Sequence, residues 1–173
     1  MDRNHISLLV SLSAVIVSFV GCKQAEQKRI EHSIPIKVAI IYNLGGAQAV
    51  AREDFYLLTK DAVQIWKENG LLKNEKPTTF SDALVFRIEF LADRLNVSQG
   101  KPSKFAEALT PYIVTTVTTD FEGNATFEAV PEGTYYIYAI TETRGGNAVW
   151  SYKVSTQENK TVLLDNKNAV YAW

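Results

Sequence analysis

The chain of 173 residues is poor in the side chains on which most catalysis and metal binding depend. It has one cysteine, Cys22, and two histidines, His5 and His32. A lone cysteine excludes any disulfide within the chain. His5 lies in an apolar leader and His32 in the polar stretch behind it, so residues 35–173 hold neither imidazole nor thiol. Ser-His-Asp and Cys-His catalysis and the usual zinc sites are thereby excluded from the body of the protein. No GxxxxGK[ST] or GxGxxG stretch is present, so neither phosphate-cradling loop is available. Charge is balanced at −1 with no block of one sign, which speaks against nucleic acid as a partner. No cofactor and no metal are expected.

What is present starts near the N-terminus. Ile6 to Val20, ISLLVSLSAVIVSFV, is an apolar run behind Arg3. It has the length of a signal-peptide core and falls short of the roughly 20 residues a spanning helix needs. It stops at Gly21-Cys22, and the polar KQAEQKRIEHS follows. Phe19-Val20-Gly21-Cys22 resembles the lipobox of bacterial lipoproteins. The resemblance implies cleavage before Cys22 and a diacylglycerol on its thiol. Residues 1–21 are then a signal peptide, 22–34 the lipidated cysteine and a tether, and 35–173 the folded domain. Lys23 in place of Asp implies the outer membrane, if the cell is Gram-negative. Two or three acyl chains anchor stably, at about 0.8 kcal/mol per buried CH₂. A tether of about 12 residues reaches at most roughly 40 Å, which keeps the body close to its membrane.

The remaining length suits one domain that folds without disulfides. Eight Tyr, eight Phe and three Trp point to a strand-rich body. IKVAIIYN (36–43) reads as a buried strand, Gly45-Gly46 as a turn, and Val50 to Leu58 as a second strand. Thr59 is placed to cap a helix with Ala62, Ile65 and Trp66 on one face and Gly70 as its stop. Residues 80–96 carry the clearest helical stripe, Leu84, Ile88, Leu91 and Leu95, broadened by Phe86 and Phe90. Ser103 caps a shorter helix that runs to Leu109, and Pro111 ends it. From Tyr112 onward the period changes from 3.6 to 2. Strands are expected at 112–119, 125–130, 134–143, 148–154 and 160–165. In the second of these, Ala125, Phe127 and Ala129 share a face.

Thr119-Asp120-Phe121-Glu122-Gly123 through Phe127, with Val130-Pro131-Glu132-Gly133-Thr134-Tyr135-Tyr136-Ile137, carries a second resemblance. The stretch resembles the T-D-x-x-G-x-a-x-F-x-x-v-p-x-G-x-Y-x-v pattern of carboxypeptidase regulatory-like domains. Their fold is a prealbumin-like (transthyretin-like) sandwich. The resemblance implies a mainly β protein, a prealbumin-like antiparallel β-sandwich, with residues 59–111 as a helical insertion and α+β character overall. The residues make sense in that role. Gly123 suits a turn that needs positive φ, Pro131 sets the next turn and Gly133 relieves it.

The strand 134–143 has two apolar faces. Tyr135, Ile137 and Ala139 share one, and Tyr136, Tyr138 and Ile140 the other. A strand facing water would be polar on its second face. That face is therefore covered, either by the chain's own helices at 60–110 or by a partner or ligand.

Chemistry is harder to place. Asp120, Glu128 and Glu142 are the acids of the strand region and the candidates for a carboxylate-based hydrolase. Asp120-x-Glu122-Gly123-Asn124 offers oxygen ligands for calcium, or is simply a hairpin turn. Collagen-adhesin B-type domains share this general sandwich and can carry a Lys–Asn crosslink, for which Lys60 and Asn168 would be the pair, but Lys60 is placed to open a helix. The buried acid it requires is missing: Ala139 stands in its place and Glu142 three residues later. Arg144 and Asn147 flank a glycine loop at one end of the sandwich, where binding loops concentrate. Taken together, the expectation is a membrane-anchored cell-envelope lipoprotein that acts as a non-catalytic binding or assembly module. Tyr136, Tyr138, Arg144 and Asn147 form its possible surface for an envelope protein or a glycan. The alternatives are a structural spacer with no ligand of its own, or a carboxylate-based hydrolase.

Overall fold

The computed structural model describes residues 31–42, 45–72, 97–143 and 146–172, together with 87, 90, 91 and 93. The expected signal peptide, Cys22, the tether up to residue 30 and most of the helix at 80–96 lie outside the described residues.

The strands are β1 Glu31–Ile41, β2 Ala47–Ala49, β3 Asp54–Leu58, β4 Ile113–Thr118, β5 Asn124–Pro131, β6 Thr134–Thr143, β7 Gly146–Ser155, β8 Val162–Leu164 and β9 Tyr171–Ala172. Between β3 and β4 lie α1 (Ala62–Glu68), α2 (Lys104–Leu109) and a 3₁₀ turn at Thr110–Tyr112. One sheet is built on β1, which pairs antiparallel with β2 and β5 and parallel with β8. The other sheet runs β4-β3-β6-β7-β9 and is antiparallel throughout. The expected mainly β sandwich with a helical insertion is therefore the fold, with β1–β8 as a parallel exception.

The two sheets close on a dry core. Ile36, Val38 and Phe127 from one meet Phe55, Leu57, Ile137, Ala139 and Trp150 from the other. Each of these alternates with a side chain on the opposite face of its strand. Trp150 satisfies its indole by donating to Asp165 O at 2.8 Å, so the large ring is buried at no polar cost. Gly123 sits where β1 passes from β5 to β2. Its φ is +78°, and a Cβ there would stand 2.3 Å from Val38 O. Both the backbone conformation and the close approach demand glycine.

Several local expectations are corrected. β1 opens at Glu31 rather than after the tether, because β5 extends far enough to pair Glu31 with Pro131; His32, expected in the tether, is therefore part of the sheet opposite Val130, and Ile34 enters the core. Val50–Leu58 is not one strand. Only Asp54–Leu58 of it is strand (β3); Arg52 at φ 60° turns the chain between β2, which ends at Ala49 in one sheet, and β3 in the other. Thr119 pins the crossing: its hydroxyl donates to Val50 O at 2.7 Å and accepts from Glu53 N at 3.2 Å. Ala129 does not share the Phe127 face. A bulge opposite His32/Ile34, with Ala129 at φ 55°, advances the alternation by one, so Val130 turns inward and Ala129 outward. Asp61 rather than Thr59 caps α1, accepting from Val63 N at 2.9 Å. Leu91 is exposed while Phe90 is buried; Leu84, Ile88 and Leu95 lie outside the described residues. Gly133 is not needed for positive φ. A Cβ there would press within 3.1 Å of the Tyr135 ring, whose hydroxyl donates to Pro131 O at 3.0 Å.

Candidate functional site: a cleft between the helices and the sheet

The second face of the β4-β3-β6-β7-β9 sheet carries the insertion. β3 and β6 pair antiparallel with Tyr56 opposite Tyr138, so both rings rise on the side away from the sandwich core. The rings lie 6.0 Å apart. Trp66 of α1 stands edge-on to Tyr138 at 5.5 Å and to Phe105 of α2 at 5.2 Å. Its indole donates to Phe105 O at 3.1 Å, which ties the two helices together. Leu58, Val149 and Tyr171 complete this smaller core from the sheet side. Of the two covers considered for this face, the chain's own helices lie on Tyr138, which is 7% exposed.

The helices are fixed at their N-termini. Asp61 caps α1 and also accepts from Ser151 Oγ at 2.9 Å, while Ser151 Oγ accepts from Ala62 N at 3.0 Å. α1 is thus fastened to β7. Ser103 caps α2, accepting from Ala106 N at 3.1 Å. Asp93 adds a second clamp, accepting from Ser103 Oγ at 2.6 Å and from Lys104 N at 2.9 Å.

The cover is incomplete, and a cleft of about 490 Å³ remains beside α2. Its floor is Tyr56, Tyr138 and Ile140. One wall is Ala106 and Leu109 of α2, continued by Thr110 and Ile113. The rim is Arg52, Glu53 and Asp54, where the chain enters β3. Tyr138 is held as a neutral phenol: burial pushes its hydroxyl far above the ordinary range, helped by Tyr56 and Asp93. Burial, with Asp54 next to it, raises the Tyr56 hydroxyl too.

The rim charges differ in how they are held. Arg52 places its guanidinium over the Phe121 ring, 4.3 Å from the centroid. Asp54 accepts from Thr118 Oγ1 across the β3–β4 ladder at 2.6 Å. Glu53 uses both backbone groups on Thr119, but its carboxylate makes no hydrogen bond or ion pair with any described residue. Burial first, then the charge of Asp54, raises the Glu53 carboxyl above its usual range. The cleft is therefore apolar at its base and net negative at its mouth.

The sequence-derived candidates are scattered. Tyr138 lines the cleft; Tyr136, two residues back, is half-buried and pairs with Leu58 and Lys153 outside it. Asn147 sits opposite Glu142 near the β6–β7 end, and Arg144 and Cys22 lie outside the described residues. Asp120 and its neighbours form a turn: Asp120 Oδ1 accepts from Glu122 N and Asn124 N, both at 2.8 Å. Those bonds, with that of the Asn124 side chain, hold its carboxyl below the ordinary value. Asp120, Glu128 and Glu142 occupy a turn, a bulge and a strand end, and the cleft lining includes none of them. Lys60 pairs with Glu68, and the Asn168 amide donates to Leu163 O at 2.7 Å, so that pair is not brought together.

No family model matches the chain, and no curated protein matches it. Solved structures with a similar course include a candidate carbohydrate-binding protein of Pseudomonas aeruginosa, at 18% identity and TM-score 0.43, over 82% of this chain and 92% of that one. The pilus backbone protein of Streptococcus pneumoniae aligns at 11% identity and TM-score 0.35, over 77% of this chain and 40% of that one. The full-length major pilin of the same organism aligns at 8% identity and TM-score 0.34, over 79% and 30%.

Sequence reasoning missed the rim, Arg52-Glu53-Asp54. A signal was there: three consecutive charged residues interrupt a run otherwise read as strand, and no alternating strand keeps three such residues in register with a buried face.

Proposed function

We propose that this protein is a lipid-anchored module of the bacterial cell envelope that binds its partner or ligand non-catalytically, through the cleft beside α2. The observation that carries this reading is the cleft itself: about 490 Å³ with an apolar floor and a charged rim, and with neither histidine nor cysteine in its lining. Its two carboxylates, Glu53 and Asp54, are sequence neighbours on the rim. A two-carboxylate hydrolase needs acids that flank the bond to be cut. The lipobox at Phe19-Val20-Gly21-Cys22 supports the anchor, with the outer membrane as its site. The burial of Tyr138 beneath Trp66 favours a second reading, a spacer with no ligand.

One experiment separates them. A photo-crosslinking residue is placed at Ala106 in the cleft wall, with a control at Leu163, which is 63% exposed on the other sheet. Both are expressed as full-length, lipidated protein and irradiated in intact cells. Binding through the cleft predicts a discrete adduct from position 106 that position 163 does not give. Equal labelling, or none, from both positions is the spacer's result. Cys22→Ser is expected to abolish incorporation of a palmitate analogue and to release the protein from the membrane fraction; retained label would overturn the anchor.

A further inference from the structure

The rim of the cleft contains an incomplete ion pair. Glu53 presents a partly buried carboxylate with no counter-ion and no donor among the described residues. Asp54, beside it, adds a second negative charge and has its own donor in Thr118. The cation within reach in sequence, Arg52, lies over the Phe121 ring. The rim therefore sums to −1, set over a floor of two tyrosines and an isoleucine. A partly desolvated carboxylate is costly unless something neutralises it. We infer that the cleft takes a primary alkylammonium group, its charge against Glu53 and Asp54 and its aliphatic stem along Tyr56, Ile140 and Leu109.

The geometry selects against other ligand classes. An anion would meet two carboxylates. A neutral polyol would satisfy Glu53 but would leave the apolar floor against hydroxyls. An ammonium on an apolar stem matches both halves, in the way lysine itself lays its stem on apolar surface and keeps its head polar. The Tyr56 ring adds a π-face close to the charge. The same chemistry belongs to a free alkylamine and to a lysine side chain on a partner protein. This inference rests on the cleft being the binding site, as proposed above.

The test is calorimetric titration of the full-length, detergent-solubilised protein with n-pentylamine and with its neutral counterpart n-pentanol. Acetyl-Ala-Lys-Ala-amide and its norleucine analogue form a second arm. We expect the amine to bind and the alcohol to bind at least tenfold more weakly. Glu53→Gln, which keeps the side-chain shape, should weaken the amine at least tenfold and leave the near-ultraviolet dichroism of the tyrosines unchanged. Binding of the lysine peptide at comparable strength assigns the ammonium to a partner protein; binding of pentylamine alone assigns it to a small molecule. Equal binding of amine and alcohol, an unaltered Glu53→Gln variant, or no amine binding overturns the inference. If amines fail while position 106 still crosslinks, the ammonium assignment falls and the cleft stands; if both fail, the cleft falls too.

Discussion

Strand β6 has two apolar faces, and they are covered in different ways. Tyr135, Ile137 and Ala139 face a second sheet, with Phe127 and Trp150 fully buried around them. Tyr138 faces helices, under Trp66 and Phe105. The sheet-on-sheet core is long and continuous, held by ladders on both sides. Among the described residues the helix-on-sheet core rests on two short helices, α1 of 7 residues and α2 of 6, each too short to be stable alone, with Phe90 packed on Phe105. Those helices hold their places through caps and clamps: Asp61 with Ser151, and Asp93 with Ser103. The difference teaches where a site is affordable. A sandwich core has no room for a cleft, whereas a short-helix cover leaves a gap at its edge.

The sharpest way to break this comparison is to empty each core in turn. Phe127→Ala and Trp66→Ala should each cost about 3–5 kcal/mol, a large part of the stability of a small domain. The pattern of loss is expected to differ. Phe127→Ala should lower amide protection everywhere at once. Trp66→Ala should expose α1 and α2 to exchange while β1 and β5 stay protected. Hydrogen exchange with mass spectrometry reads this directly, and equal deprotection of β1 by both variants would mean a single cooperative unit.

A smaller effect sharpens the same point. Asp61→Ala removes the α1 cap and its bond to Ser151, for a loss of about 1–2 kcal/mol. The expected readout is faster exchange confined to the helix side, with the midpoint of thermal unfolding lowered by several degrees. An unchanged helix side would show that packing on Trp66, not the cap, holds α1.

The smallest expected effect has the opposite sign. The folded state raises the Glu53 carboxyl above its unfolded value, so folding favours the protonated form. The stability this contributes is full below the ordinary carboxylate range and is lost as pH rises through the raised value. Glu53→Gln should therefore make the protein slightly more stable at neutral pH, by less than about 1 kcal/mol because water still screens the group. The gain should vanish in acid. Thermal melts of both proteins across pH 3–8 test it; a Gln variant less stable at neutral pH would mean that Glu53 is held by its surroundings.

Much of the fold was legible along the chain. The change of period at Tyr112 placed β4 through β8 near their observed positions, and Gly123 was found at its positive φ. The two apolar faces of β6 required a cover before any helix was located. The cleft was not legible. It joins Glu53, Tyr138 and Ala106, which are far apart in sequence, and only pairing of β3 with β6 brings Tyr56 against Tyr138. The site residues chosen from strand faces and a glycine loop were chosen one element at a time. Of those that the structure describes, Tyr138 alone lines the cleft.

The boundary between the two kinds of information has a physical cause. Periodicity, turn glycines and N-caps act over a few residues, so sequence alone determined β4 through β8 and the Ser103 cap. Interactions across long loops decided the rest. Those include the crossing of the chain between sheets at Arg52, pinned by Thr119 from 67 residues further on, and the bulge at Ala129, which exists because β1 pairs beside it. They also include the Glu53 carboxylate, unpaired among the described residues, since whether a charge lacks a partner depends on every element packed around it.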